Sequence, residues 1–228
     1  MKSNPFLWYE TRLAFDFSAL LPAFGLPVYA VISKLLMGRY DSELPISSLI
    51  NTLVILLPLV SGFSTAHLMS IEQEANFNEL RNTYPKPAWW IPVIRGGLAF
   101  VLLLVCAMAG WLAFRLVWGS KDYITALLPA LPPAIYLTGL SLLTGRLTRS
   151  YWAAAGATMV YWFLELQTRG QVTGVLFLFN PVWPSMDFSL TLNRSLQVGV
   201  GLSFFIINIA LSTYQPRFFT RGVPLGNR

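Results

Sequence analysis

Apolar and polar positions alternate along this chain in long blocks. Apolar runs cover about residues 17–37, 46–69, 92–118, 124–144, 151–166 and 196–214. A helix that crosses a bilayer needs ~20 mostly apolar residues, so the pattern predicts an all-α polytopic membrane protein with six spans, a single transmembrane domain over residues 1–228. Pro22 and Pro27 fall in the first span, and Pro129, Pro132 and Pro133 in the fourth. Prolines are tolerated in membrane helices when neighbours satisfy the freed carbonyls, and they kink them. Ahead of span one, residues 4–16 place Phe6, Tyr9, Leu13 and the following Phe17 at helical spacing, with Glu10, Arg12 and Asp16 between them. This predicts an amphipathic helix lying on the membrane; the plain alternative is the start of span one. Residues 167–194 begin polar, turn apolar over 172–179, and break at Asn180-Pro181 and again at Pro184. The apolar part is too short to cross, which predicts an outer re-entrant or interfacial segment. The tail, 215–228, is basic, holds glycine and proline, and reads as irregular.

The longest polar interval, residues 70–95, separates spans two and three. Residues 71–81 suit a short helix, with Phe77 and Leu80 three apart, where side chains can meet. Pro85, Pro87 and Pro92 then stop one continuous helix from running into span three. Trp89 and Trp90 are rings of the kind found at headgroup level. The pattern predicts a short helix outside the bilayer, an elbow, an aromatic anchor and descent into the membrane. A helix held out in this way suits a groove on a partner; an ordinary interhelical loop is the competing reading.

Composition narrows the class. The 228 residues are 55% hydrophobic and 11% charged, with mean hydropathy +0.56. Soluble domains carry roughly 25% charged residues, so six helices and their loops leave no room for an ordinary catalytic domain. The formal charge of +6 is scattered rather than striped, which argues against nucleic acid. Counted by side, ten lysines and arginines fall with the N-terminus and six opposite it, placing both termini and the 70–95 loop in the cytoplasm by the positive-inside rule. No cleavable leader is recognised at the N-terminus. Cys106 is the only cysteine, so no intrachain disulfide can form.

Candidate chemistry is sparse. His67 is the only histidine and has no sequence partner for a metal site or a dyad. Ser64 lies three residues away, with no orienting third group. The phosphate-binding pattern GxxxxGK[ST] is absent, so nucleotide chemistry would have to reside on another chain. No catalytic, metal or cofactor site is expected, and the chain is not expected to be an enzyme by itself. Glu165 is the carboxylate most deeply committed to a span, where a charge costs about 2.5–3.5 kcal/mol on insertion scales. Arg169 follows four residues later in the favourable order, which predicts an ion pair at the rim of a substrate path or a purely structural pair.

The run Glu72-Gln73-Glu74, then Glu79, Pro85, Trp89 and Arg95 resembles the cytoplasmic loop of type-2 ATP-binding-cassette (ABC) exporter permeases. That family reads E-x-E, a Gly-Thr turn, another Glu, a proline, an aromatic, and a basic residue opening the next span. Asn76 stands in place of the glycine and Phe77 in place of the threonine. The six spans, the N-terminal interfacial helix and the Asn180-Pro181 break, similar to the turn of the family's outer hairpin, extend the resemblance over nearly the whole chain. It implies a coupling helix, with Glu72, Glu74, Phe77, Glu79, Leu80 and Arg81 meeting a separate cytoplasmic ABC ATPase that binds ATP and Mg. It also implies a homodimer or heterodimer of permeases in a bacterial inner membrane, with Glu165, Arg169, Asn180 and Pro181 at an outer gate. A lipidic, amphipathic or peptide substrate would suit an apolar interface between protomers. The alternative from another class is a non-transporting membrane scaffold or assembly factor that recruits its partner through the 70–95 loop. A six-span secondary transporter ranks third, because no inverted repeat of short broken helices is evident.

Overall fold

Helices form where the apolar runs are, and the computed structural model describes residues 10–12, 14–37, 45–69, 87, 89–119, 122–184 and 188–214. Regular structure among these residues is entirely helical. After a short helical stretch at 10–14 come α1 (Phe17–Leu20), a 3-10 turn (Leu21–Phe24) and α2 (Gly25–Met37). Then follow α3 (Ile46–Thr65), α4 (Trp90–Trp118) and α5 (Tyr123–Leu127). A second 3-10 turn (Leu128–Ala130) leads into α6 (Leu131–Thr148), which is followed by α7 (Tyr151–Thr168) and α8 (Leu190–Tyr214).

Prolines are placed where they cost least. Pro22 and Pro129 sit in the two 3-10 turns, and Pro27, Pro92, Pro132 and Pro133 sit in the first turns of α2, α4 and α6. A first-turn N–H has no intrahelical acceptor to lose. Pro92 therefore does not delay α4, which begins at Trp90 rather than at the expected 92. Among the described residues Pro58 alone lies in a helix interior, where it removes one rung of the hydrogen-bond ladder.

Among the described residues, four helical segments are long and apolar enough to cross a membrane: Ile46–Thr65, Trp90–Trp118, Tyr123–Thr148 and Leu190–Thr213. At ~1.5 Å per residue, twenty residues match the ~30 Å hydrocarbon core. The run Leu21–Leu36 is a shorter apolar helix, and α7 occupies the place of the fifth expected span. These features are compatible with an integral membrane protein. The outward faces agree, carrying Leu116, Trp152, Val160 and Ile206 well exposed; such apolar area suits lipid rather than water.

The centre of the bundle is α6, against which α3, α7 and α8 pack, while α2 lies along α4 and α4 contacts α3. The Tyr123–Thr148 window is 56% buried and the α8 window only 22%, so α8 is a peripheral rod. It approaches α6 closely at one crossing. A Cβ on Gly139 would come within 2.5 Å of the Gly201 carbonyl oxygen, and one on Gly201 within 2.9 Å of the Ile135 oxygen. Small residues at such crossings allow backbones to pack where lipid supplies no hydrophobic drive. Several buried hydroxyls bond backbone carbonyls. Thr65 donates to the Ser61 oxygen at 2.9 Å, Thr158 to Ala154 at 3.0 Å, and Ser141 reaches across to Gly62 at 2.8 Å.

Several boundaries differ from expectation for clear reasons. The expected span over 46–69 ends as a helix at Thr65, and residues 66–69 form turns. The 124–144 span runs on through Gly145 and the buried Arg146 to Thr148, whose hydroxyl bonds the Thr144 oxygen at 2.7 Å. Arg149 then caps it in the left-handed region (φ 52°) and Ser150 caps α7, accepting from the Ala153 N–H at 3.4 Å. Helix α8 starts at Leu190, six residues before the expected 196, because the Ser189 hydroxyl accepts from the Leu192 N–H at 3.2 Å and acts as an N-cap.

Candidate functional site

Two buried polar centres lie at opposite ends of the bundle. The first is at the foot of α4. The Arg95 guanidinium donates from Nε to Glu10 Oε2 at 3.0 Å and from Nη2 to Oε1 at 3.4 Å, with both side chains almost wholly buried. This forked pairing ties the 10–14 stretch to the second turn of α4, across 85 residues of sequence. Around it Ala14, Ala19, Leu68, Met69, Ala99, Leu102 and Leu142 form a compact apolar cluster. Low dielectric strengthens the attraction, and the forked geometry helps to offset the desolvation of both ions. Sequence reading identified Arg95 as the charge opening the third span and Glu10 as a polar face of the first helix. Nothing in the spacing linked them.

The second centre is at the far end, between α7, α8 and the connection that joins them. After α7, Arg169 (φ 49°), Gly170 (φ 83°) and Gly174 (φ 57°) reverse the chain through left-handed positions. The described residues between α7 and α8 then form turns and one 3-10 turn (Gly174–Leu176). Two glycines at positive φ and the Asn180-Pro181 break leave no uninterrupted stretch long enough for a stable helix. Phe177, Leu178 and Phe179 are buried in the main core. Phe179 meets the rings of Trp162, Phe177 and Trp183 edge-on at 6.1, 5.9 and 6.1 Å.

Side chains hold this segment by its backbone. Asn193 Nδ2 donates to the oxygens of Val175 (2.5 Å) and Phe177 (3.0 Å), and Gln197 Nε2 to those of Phe177 (2.8 Å) and Leu176 (3.4 Å). Arg194 Nη1 donates to the Leu178 oxygen at 3.1 Å and to Gln197 Oε1 at 2.7 Å. From α7, Glu165 Oε2 accepts the Leu178 N–H at 3.2 Å. The Tyr161 and Thr173 hydroxyls stand beside this fully buried carboxylate.

The expected Glu165–Arg169 ion pair does not form. Arg169 lies past the last helical residue, and its left-handed backbone turns the side chain off the α7 face, so the four-residue rule no longer applies. Its guanidinium instead lies over the Trp183 ring, 5.6 Å from the centroid. Asn180 is buried near Glu165's partner Leu178 in sequence, and Pro181 follows it in the turn. Glu165, Arg169, Asn180 and Pro181 thus belong to or border one segment. Asn193, Arg194 and Gln197, which fasten it, were read from sequence as the end of a loop and the start of a span. The missed signal was Ser189 as an N-cap, which puts Asn193 and Gln197 four apart on one helix face.

Glu72, Glu74, Phe77, Glu79, Leu80 and Arg81 lie outside the described residues. Trp89 and Trp90, at the end of the same loop, pack edge-on at 5.8 Å. His67 is buried at the close of α3. Among the described residues no group of three or more His, Cys, Asp or Glu side chains could hold a metal ion. No protein-family model, curated protein or solved structure matches the chain.

Proposed function

We propose that the chain is the membrane permease subunit of an ABC exporter, driven by a separate cytoplasmic ATPase that binds ATP and Mg. The observation that carries the reading is the buried Glu10–Arg95 pair. It stands where the 70–95 loop passes into α4, and it joins the base of that helix to the N-terminal segment. A load delivered to the loop by a partner would therefore reach both. The helix expected at 72–81 is the docking element, with Phe77 and Leu80 as anchors and Glu72, Glu74, Glu79 and Arg81 around them. Two permease subunits, alike or different, would enclose the substrate path in a bacterial inner membrane, with both termini in the cytoplasm. The segment bordered by Glu165 and Pro181 would close the outer side. The apolar outward faces suit lipidic, amphipathic or peptide cargo.

The test is isolation of the chain from its own membranes in mild detergent, at matched expression of variants. The expected partner is a subunit carrying GxxxxGK[ST]. Phe77→Ala should release it, at a cost of ~2 kcal/mol or more, whereas Glu74→Gln at the rim should retain it. Retention by Phe77→Ala with loss in Glu74→Gln would show that charge rather than a buried helix face holds the complex. A specific partner without any nucleotide-binding motif would replace this reading with that of a membrane scaffold.

A further inference from the structure

Helices α2 and α4 run side by side in the same direction. Leu26 lies against Gly110 midway along the seam. Near its end the Trp118 indole N–H donates to the Ala30 oxygen at 3.2 Å and to the Ser33 hydroxyl at 3.1 Å. The C-terminal ends of the two helices therefore meet at one level, and each carries a cation in its last turn, Lys34 on α2 and Arg115 on α4. Both cations lie over tryptophan rings of α4. The Lys34 ammonium is 4.4 Å from the Trp118 ring centroid, and the Arg115 guanidinium is 5.2 Å from that of Trp111. We propose that this end of the α2–α4 seam binds an anionic phospholipid, its phosphate held by Arg115 beside the charge of Lys34 and its acyl chains lying along the apolar seam beneath.

Three observations support the assignment. First, Trp111, Arg115 and Trp118 follow at i, i+4 and i+7, which puts them on one face of α4. Helical side chains lean toward the N-terminus, so the Trp118 ring, with Lys34 upon it, reaches back to about the level of Arg115. Second, neither α2 nor α4 contains an aspartate or glutamate, and the exposed Arg115 makes no ion pair among the described residues. A guanidinium laid on a ring by its face keeps its N–H donors at its edge, where they fit a phosphate in forked geometry. A last-turn cation also suits the helix dipole, which accounts for one charge on each helix. The dipole does not account for both being placed on rings that border the same seam. Third, the seam below the cations is apolar and open. Phe24 and Val31 on α2 and Leu104 and Met108 on α4 are exposed large side chains. At ~1.5 Å per residue they lie from about 5 to about 16 Å deeper than the cations, the depth of one leaflet of a ~30 Å hydrocarbon core. Basic pockets between membrane helices suit anionic headgroups, whereas a choline headgroup would bring a cation of its own. The inference needs only the membrane setting and no ATPase partner, so its failure would leave the docking proposal standing.

Native mass spectrometry of the full chain released from detergent micelles reads bound lipid directly. Phosphatidylglycerol should be held about tenfold or more tighter than phosphatidylcholine, the scale of one charge-assisted hydrogen bond. Arg115→Gln should abolish that preference, and Arg115→Lys, which keeps the charge without the fork, should retain part of it. Because Arg115 is exposed, both variants should unfold at the wild-type midpoint in phosphatidylcholine nanodiscs. Arg169→Gln is the control. It removes another cation over a tryptophan, 5.6 Å from the Trp183 centroid, at the end of α7, which packs on α3 and α6. It should leave the preference within about twofold. Equal losses in Arg115→Gln and Arg169→Gln would mean a diffuse attraction to any interfacial cation. No preference in the wild type would mean that Lys34 and Arg115 only snorkel. Displacement of phosphatidylglycerol by an equal concentration of inorganic phosphate would make this a site for free anions. Each of these three results would overturn the inference.

Discussion

Arg95 shows how much a single buried charge can organise. It is 0% exposed and sits in the second turn of a helix whose neighbours are alanine and leucine. Removing one member of a buried pair strands the other, which typically costs about 3–5 kcal/mol, whereas replacing both by apolar groups is often nearly neutral. Glu10→Ala should accordingly lower stability by about that amount. The double variant Glu10→Leu/Arg95→Met should recover most of the loss while disconnecting the 10–14 stretch from α4 mechanically. Unfolding midpoints of the solubilised variants check this, and strictly additive losses in the double variant would contradict the pairing. Arg95 was legible as a charge placed where a span opens. Glu10 was legible only as polarity on an amphipathic face, because a contact spanning 85 residues leaves no local periodicity. Glu165 illustrates the opposite error. Its separation from Arg169 suggested a helical pair, but the residue that ends a helix in the left-handed region no longer shares that helix's face.

At the scale of elements, apolar run length was a sound guide to where helices form, and capping decided where they stop. The run over 124–144 looked complete at Gly145, yet the helix continues because Thr148, Arg149 and Ser150 supply a terminus a turn later. In the sequence reading α8 began at 196, with Asn193 and Arg194 left in the preceding segment and Gln197 at the start of the span. Those residues bond the carbonyls of residues 175–178, so polarity marked a bonding face and not a loop. The α6–α8 crossing yields a matched pair of substitutions. Gly201→Ala inserts a methyl against the Ile135 carbonyl and should destabilise by about 1–3 kcal/mol through overpacking. Gly199→Ala, on the same helix but with nothing within 4 Å, should be neutral or slightly stabilising, as alanine is the better helix former. Thermal unfolding of the two variants distinguishes them, and equal effects would contradict the crossing.

For the whole molecule, the bundle has a polar joint at each end and an apolar middle. One joint, Glu10–Arg95, lies beside the loop proposed to receive a partner; the other fastens residues 175–178. Helix α6 runs between them, packed on α3, α7 and α8, and is the natural path by which movement at one end would reach the other. The helical architecture of the described residues was legible from the length of the apolar runs, since a helix of ~20 apolar residues spans the bilayer and satisfies its own backbone in lipid. The attachment of residues 175–178 was not, because it depends on which face of α8 meets which carbonyls. The most direct test of the central claim is ATP turnover by the isolated chain and by the chain purified with its partner subunit. The permease account predicts no hydrolysis by the chain alone, hydrolysis by the complex, and loss of hydrolysis from chain-bound fractions when Phe77→Ala releases the partner. Sustained turnover by the chain alone, free of any second subunit, would contradict it.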